Sequence, residues 1–233
     1  MKKQLLIALA AAAPLLFTAC AKETKTGPQA QVKFINGSVN NTATDITFDG
    51  VLLISNVSFP DASNYSFVNT GTPVVKIQPT TGTAVYASAN VSLQENINYT
   101  IVATDSVSKM KASIVTDDLS APATGKAKIR FFHLIGNANT ISVDTSITTA
   151  GTTLFGGRTF NDQATNSGAG TFITVNAATY KFAAKDVSTS TAVPLFNQMI
   201  TLADGKIYTI IAKGAIGGTT TAGTPGFVVL AHN

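Results

Sequence analysis

The stretch Val91-Ser-Leu-Gln-Glu-Asn-Ile-Asn-Tyr-Thr-Ile-Val-Ala103 recurs later in the chain as Ile200-Thr-Leu-Ala-Asp-Gly-Lys-Ile-Tyr-Thr-Ile-Ile-Ala212. Leu, Tyr, Thr, Ile and Ala coincide between the two copies at a constant offset of 109 residues. Each copy has the pattern of a strand that ends near the Leu, a polar turn, and a second strand that begins at the Tyr. The pattern therefore predicts one strand–turn–strand unit that occurs twice.

Two further matches keep the same order along the chain and indicate a duplication. Val32-Lys-Phe34 matches Ile129-Arg-Phe131, and Ile46-Thr-Phe-Asp49 matches Ile141-Ser-Val-Asp144. Between the two sets lies the polar segment Asp117–Gly125, which contains Pro122 and is typical of a linker. We therefore predict one domain over residues 31–118 and a second over residues 124–233.

The composition and the periodicity both favour an all-β fold. The chain has 34 threonines among 233 residues, and its apolar runs are short and alternating, without the spacing of an amphipathic helix. Asp49-Gly50 predicts a tight hairpin. In immunoglobulin-like sandwiches a tyrosine at a strand corner bonds back to upstream backbone, and Tyr99 and Tyr208 have that position. We expect two tandem immunoglobulin-like antiparallel β-sandwiches, with ligand stacking as the alternative role of these tyrosines.

The N-terminus has the pattern of a signal peptide. Lys2 and Lys3 precede an uncharged, mostly apolar run over residues 5–17, which is shorter than the length of about 20 residues that spans a bilayer. Leu16-Phe-Thr-Ala-Cys20 resembles a bacterial lipobox, in which the cysteine becomes the lipidated first residue of the mature protein. The resemblance implies a signal peptide over residues 1–19, lipidation of Cys20, and a tether over residues 20–30. It further implies an outer-membrane lipoprotein of the cell envelope, facing the periplasm or the cell surface.

The opening of the second copy resembles a known family. Ala123-Thr-Gly-Lys-Ala-Lys-Ile-Arg-Phe-Phe-His-Leu-Ile-Gly-Asn-Ala138, followed by Ile141-Ser-Val-Asp144, is similar to the start of "domain of unknown function 4397". The first copy repeats this start with Lys33 and Asn36 in place of the Arg and the His. The resemblance implies secreted or envelope proteins of immunoglobulin-like architecture, many of them anchored lipoproteins of Bacteroidota, and it implies no activity.

Residues suited to catalysis are sparse. His133 and His232 are the two histidines, no G-x-S-x-G motif is present, and Cys20 is the one cysteine. We predict no catalytic site, no metal site and no cofactor. Removal of residues 1–19 would leave 14 Lys and Arg against 12 Asp and Glu, so nucleic-acid binding is not expected. Lys126, Lys128 and Arg130 alternate along one strand and are predicted to lie on its solvated face.

The predicted function is that of a non-catalytic binding or structural module of the envelope. A protein or glycan ligand would bind on loops such as 156–170 and 214–226, which are rich in Thr, Gly, Ser and Asn. Asp105-Ser106-Val107 resembles the O-glycosylation motif of Bacteroidota, which makes Ser106 a candidate for modification. The alternatives are a subunit of a surface adhesion or pilus-like assembly and an envelope hydrolase. The oligomeric state is not predicted.

Overall fold

The computed structural model describes residues 27–39, 43–146, 151–218 and 223–233, without the side chains of Pro194 and Leu195. The predicted signal peptide, Cys20 and most of the tether lie outside the described residues. The described part is all-β, with three short 3₁₀ turns between strands.

The strands fall into two sets of eight within the described ranges. The first set is β1 (Gln29–Asn36), β2 (Thr44–Phe48), β3 (Val51–Val57), β4 (Ser66–Asn69), β5 (Val74–Pro79), β6 (Ala87–Asn90), β7 (Asn98–Thr104) and β8 (Lys111–Asp117). The second set is β9 (Lys126–His133), β10 (Ile141–Ser146), β11 (Thr152–Arg158), β12 (Ile173–Asn176), β13 (Ala178–Asp186), β14 (Ala192–Leu202), β15 (Ile207–Lys213) and β16 (Gly226–Ala231). We call these sets the first and the second unit.

Both units have the same strand order. Each contains an inner sheet, β4-β1-β7-β8 or β12-β9-β15-β16, and an outer sheet, β3-β2-β5-β6 or β11-β10-β13-β14. All strand pairs are antiparallel except β1 with β7 and β9 with β15, which are parallel. The all-β sandwich architecture expected from the sequence is confirmed, and the domain limits at 31–118 and 124–233 stay a prediction.

The pairing register aligns the two units residue by residue. In the first unit Gln31 of β1 pairs with Asn98 of β7, and in the second unit Lys128 of β9 pairs with Ile207 of β15. Gln31 is therefore equivalent to Lys128, and β1 matches β9 at an offset of 97 residues. Strand β2 matches β10 at this same offset and β3 matches β11 at an offset of 101, because Ile46 pairs with Ile54 as Val143 pairs with Phe155. The sequence match of Ile46 to Ile141 was therefore wrong by two residues. A shift of two residues keeps every side chain on its face, so alternation alone cannot detect it.

Three apolar clusters hold the four sheets together. Two lie within the units, between an inner and an outer sheet. The third lies between the two inner sheets and consists of Ile35, Val102, Val115, Phe132, Leu134, Ile211 and Leu230. The sheets therefore stack in the order outer, inner, inner, outer, and β1 and β9 are covered on both faces.

The segment after β11 also lies at the interface between the units. Gly156–Arg158 is the end of β11, so the prediction of a loop from residue 156 was wrong there. The 3₁₀ turns Asp162–Ala164 and Ser167–Gly170 follow and contact β8 of the first unit. A Cβ atom at Gly170 would lie 2.9 Å from Cγ1 of Val115, so only glycine allows this approach.

The two corner tyrosines make equivalent contacts. The hydroxyl of Tyr99 accepts a hydrogen bond from the backbone N–H of Gln94 (3.0 Å), and that of Tyr208 accepts one from Ala203 (3.2 Å). Each bond joins residues five positions apart, at the entry to a central strand of an inner sheet. These are the contacts that a corner tyrosine requires, and the contribution of the two residues to stability stays a prediction.

Candidate functional site

The polar side chains best suited to chemistry lie together between the two inner sheets. We call this cluster the interface network, and its members are Tyr65, Thr100, Asp117, Arg130, Thr209 and His232. The first three belong to the first unit and the last three to the second. All six lie on the face of an inner sheet that is opposite the unit's own core. Thr100, Asp117, Arg130 and Thr209 belong to β7, β8, β9 and β15, Tyr65 directly precedes β4, and His232 directly follows β16.

Arg130 is the centre of the interface network. Its side chain is 0% exposed and pairs with Asp117 through Nη1 and Oδ1 at 2.6 Å. Nη2 donates to Oγ1 of Thr100 (2.9 Å), and Nε donates to Oγ1 of Thr209 (2.7 Å). The prediction that Arg130 lies on a solvated face was wrong, because the other unit covers that face. The geometry satisfies a buried guanidinium with partners from both units.

His232 and Tyr65 close the network into a circuit of hydrogen bonds. Oδ2 of Asp117 accepts from the hydroxyl of Tyr65 at 2.5 Å, and the same hydroxyl lies 2.6 Å from Nδ1 of His232. A carboxylate can only accept, so the Tyr65 proton points to Asp117 and Nδ1 of His232 carries a proton of its own. Nε2 of His232 then accepts from Thr209 (2.7 Å), whose oxygen accepts from Arg130.

Burial fixes the protonation states within the circuit. Desolvation lowers the pKa of His232 to about 2, and the nearby charges of Arg130 and Lys33 act in the same direction. Desolvation also raises the pKa of Tyr65 well above its ordinary value, and the Asp117 carboxylate adds to this effect. At neutral pH the imidazole is neutral and the phenol is protonated, so every proton in the circuit has a defined acceptor.

Aromatic rings flank the cations of the interface. Cζ of Arg130 lies 4.3 Å from the ring centroid of Phe172 and 4.8 Å from that of Phe132. Nζ of Lys33 lies 5.4 Å from the ring centroid of Tyr65 and donates to the carbonyl of Ala231 (2.8 Å), which is another bond between the units. These contacts stabilise the cations where water is excluded.

The interface has an approximate two-fold relation. In the aligned registers Lys33 corresponds to Arg130, Thr100 to Thr209, and Asp117 to His232. Equivalent positions of the repeated face therefore hold a cation in both units and a threonine in both units, and the units differ at Asp117 and His232.

His133 has a structural role at the end of β9. Its Nδ1 accepts from the backbone N–H of Ile135 (3.3 Å), so Nε2 carries the proton and donates to the carbonyl of Asn139 (3.2 Å). Burial lowers the pKa of His133. Asn36, the equivalent residue of the first unit, likewise bonds its own following turn through Ser38.

The remaining predicted residues lie apart from this network. Ser106 is half-buried and stands before the 3₁₀ turn Val107–Lys109, with no capping bond from its side chain. Cys20 lies outside the described residues. Within the described ranges no group of three His, Cys, Asp or Glu side chains is arranged to hold a metal ion. No helix among those residues has the length and apolar character needed to cross a membrane.

A groove opens between the edge strands β3 and β4 of the first unit, and sequence reasoning did not find it. Its volume is about 510 Å³, and we call it the edge groove. Val51, Leu53 and Phe67 line it together with Phe48 and Val68, and the other lining residues are Gln29, Asp49, Asn69, Thr70, Thr72 and Pro73. Val51 is 70% exposed and Phe67 is 62% exposed. These two apolar side chains are therefore largely in solvent at the groove.

The second unit has threonines where the first unit exposes this apolar edge. Strands β3 and β11 have the same pattern of burial, and Val51-Leu52 corresponds to Thr152-Thr153. Phe67 of β4 pairs with β1 at the position where Thr174 of β12 pairs with β9, so Phe67 corresponds to Thr174. The shared fold therefore does not require apolar residues at these positions. This difference between the copies was the signal in the sequence that could have located the groove.

Comparison with known proteins identifies the family of one segment. Residues 30–144 match the family model described as Domain of unknown function (DUF4397). The resemblance inferred from the sequence is confirmed over this DUF4397 segment, which runs from β1 to β10. It contains the edge groove, Asp117 and Arg130, whereas Thr209 and His232 lie beyond it. No curated protein sequence matches the chain.

Two solved structures of carbohydrate-binding modules show a weak likeness to the chain. One is described as "Alpha-glucan recognition by family 41 carbohydrate-binding modules from streptococcal virulence factors". It is 11% identical to this chain with a TM-score of 0.29, and the match covers 85% of this chain and 96% of that one. The other is a family 26 module from Eubacterium rectale Amy13K in complex with maltoheptaose; it is 10% identical, has a TM-score of 0.27, and the match covers 86% and 95%. At these TM-scores neither likeness carries an argument about the ligand of this chain.

We predict that Arg130→Met lowers the free energy of unfolding by about 3–5 kcal/mol, because it leaves the Asp117 carboxylate buried without its cation. The double variant Arg130→Met/Asp117→Leu removes both charges and is expected to be more stable than Arg130→Met alone. Urea denaturation of the two single variants and the double variant measures the coupling. Additive losses in the double variant would contradict the paired role of these residues.

A second prediction concerns the pH dependence of stability. The pKa of His232 is lower in the folded than in the unfolded chain, so below about pH 6.5 the unfolded chain binds more protons and stability falls as the pH falls. His232 alone contributes a slope of about 1.4 kcal/mol per pH unit between about pH 6 and pH 4.5. His232→Gln should flatten the curve of urea midpoint against pH in this range, whereas His133→Gln should leave the His232 contribution in place. An unchanged slope in His232→Gln would overturn the assignment.

Proposed function

We propose that the protein is a non-catalytic, lipid-anchored module of the cell envelope that binds a partner through the edge groove of its first unit. The observation that carries this proposal is the exposed apolar edge formed by Val51 and Phe67, which line the groove, and by the neighbouring Leu52, at positions where the second unit has threonines. A repeated fold whose equivalent edge positions are apolar in one copy and threonine in the other supports a binding role for the apolar edge.

The use of the ionisable residues supports the non-catalytic part of the proposal. General-base catalysis needs a histidine or carboxylate that can reach a substrate and exchange protons near neutral pH. His232 and Asp117 are buried and bonded within the interface network, and His133 is bonded to its own loop. These groups stabilise the packing of the two units, which leaves no reactive pair among them.

The position of the groove supports a partner within the envelope. Gln29, at the start of β1, lines the groove, and Gly27 begins the described chain two residues earlier. Seven residues separate Gly27 from Cys20, and a fully extended chain of that length spans at most about 25 Å. A lipidated Cys20 would therefore hold the edge groove close to the membrane surface.

The second candidate function is a subunit of a surface adhesion or pilus-like assembly. The open sheet edges β3 and β4 favour it, because such assemblies join subunits through unpaired strand edges. The two candidates differ in the partner: an assembly subunit would bind copies of itself or of a sister subunit, and a binding module would bind an unrelated envelope component.

The anchor is tested by Cys20→Ala in the full-length protein. Several acyl chains on one cysteine make membrane release slow, at about 0.8 kcal/mol for each buried CH₂ group. We expect the variant to move from the membrane pellet to the soluble fraction, with Ala19→Ser as a control that retains the cysteine. Retention of Cys20→Ala in the pellet at the parental level would contradict lipid anchoring.

The binding role is tested by placing a photo-crosslinking amino acid at Phe67 in intact cells, with Thr174 as the matched position of the second unit. We expect a defined adduct from position 67 and none from position 174. The adduct should disappear when Val51 and Leu52 are replaced by threonine, since these residues form the same edge. Equal adducts from both positions, or none from position 67, would overturn the proposal.

A further inference from the structure

We infer that the edge groove binds an extended apolar polypeptide strand, which adds to the open edge of β4. The inference rests on the proposed function and specifies the chemistry of the partner. It depends on the direction of backbone groups, the spacing of apolar side chains, and the charge of the groove.

The backbone of β4 has free hydrogen-bonding groups on the side that faces the groove. Thr70 donates its N–H to the carbonyl of Pro28 (3.0 Å), which fixes residues 28 and 70 as a hydrogen-bonded pair. Antiparallel pairing alternates, so Ala30 and Val68 form the next such pair, and Phe67 and Asn69 direct their N–H and C=O groups away from β1. In the described part of the chain β4 pairs with β1 alone.

The opposite wall of the groove also has an open edge. Asp49 and Gly50 both have positive φ angles (48° and 81°), as a two-residue hairpin of type I′ requires. The flanking Phe48 and Val51 are then a hydrogen-bonded pair, and Leu52, which follows, directs its backbone groups away from β2. An inserted strand would thus have backbone partners on β4 and a second unpaired edge beside it.

The side chains of the groove suit a strand with apolar residues at alternate positions. Val51 and Leu53 line it from β3 and Phe67 lines it from β4, and the buried Phe48 and Val68 lie beside it. A strand paired with β4 points every second side chain into this space, while the intervening side chains face solvent. Strand addition of this kind takes its affinity from backbone bonds and its specificity from the alternate pockets.

Charge further restricts the partner. Asp49 is the one charged residue that lines the groove, and its Oδ1 accepts from the backbone N–H of Val74 (2.8 Å). A strand that fits has no acidic residue and has a Lys or Arg at the end near Asp49. The chain's own residues 21–26, Ala-Lys-Glu-Thr-Lys-Thr, lack the alternating apolar side chains and include Glu23, so they are a poor match.

The test uses the full-length mature protein and the blocked peptide Lys-Thr-Val-Thr-Val-Thr-Val-Thr-Lys. The peptide should slow amide hydrogen exchange at Phe67 and Asn69 by about tenfold or more, with little change at Ser66 and Val68, which already bond to β1. Val51→Thr/Phe67→Thr should weaken binding by about tenfold or more, since 1.4 kcal/mol corresponds to tenfold. Thr152→Ser/Thr174→Ser, at the matched positions of the second unit, should bind as the parent does.

Three outcomes would overturn the inference. The first is peptide binding without protection of Phe67 and Asn69, which would mean side-chain contact alone. The second is absence of peptide binding with protection of this edge by maltoheptaose, which would identify a glycan site. The third is concentration-dependent protection without any peptide, which would identify a second copy of the chain. The peptide could show no binding while the adduct from position 67 still forms and still depends on Val51 and Leu52. That result would contradict strand addition and leave the proposed function supported.

Discussion

The burial of one ion pair between the two inner sheets constrains the rest of this structure. Removal of an ion from water costs several kcal/mol even after relaxation, and Coulomb attraction repays this only with further hydrogen bonds. Arg130 and Asp117 obtain those bonds from Thr100, Thr209 and Tyr65. Because these partners come from both units, the charges are satisfied only when the units are docked in this one arrangement. The interface network thus gives the docking its specificity, while the surrounding apolar cluster supplies the hydrophobic stabilisation.

The interface network requires the two copies of the repeated fold to differ at the docking face. Two copies of the second unit's residues would bury Arg130 and His232 twice without any carboxylate. Two copies of the first unit's residues would bury Lys33 and Asp117 twice, with two carboxylates close together, and like charges at that distance disfavour their common ionisation. The observed chain pairs the arginine of one copy with the aspartate of the other. Docking in this chain is therefore complementary: it depends on residues that differ between the two units.

The alternation of apolar and polar residues was sufficient to predict the fold. It was not sufficient to predict which part of the chain covers each face of a sheet. Alternation correctly placed Arg130 on the face of β9 opposite Ile129 and Phe131, and the duplication correctly indicated equal strand orders. The error was to treat that face as solvated, since the residues that cover it belong to the other unit, and strand alternation does not show that the two units pack face to face. His232 next to the C-terminus could not be assigned for the same reason: its partners Tyr65 and Thr209 come from both units.

The two edges differ in the connection that adjoins them and in their exposed side chains. In the second unit Arg158, at the end of β11, binds both carboxylate oxygens of Asp162 in the connection that follows, and the 3₁₀ turns of that connection contact β8. That connection is committed to the interface between the units, and the adjoining edge carries threonines. The first unit has a shorter connection between β3 and β4, and its edge is apolar and open. An exposed apolar strand edge carries a risk of aggregation that proteins ordinarily remove by substitution. The second copy shows that the fold accepts threonine there, so a function that needs the apolar edge is the simplest physical reason for its presence in the first.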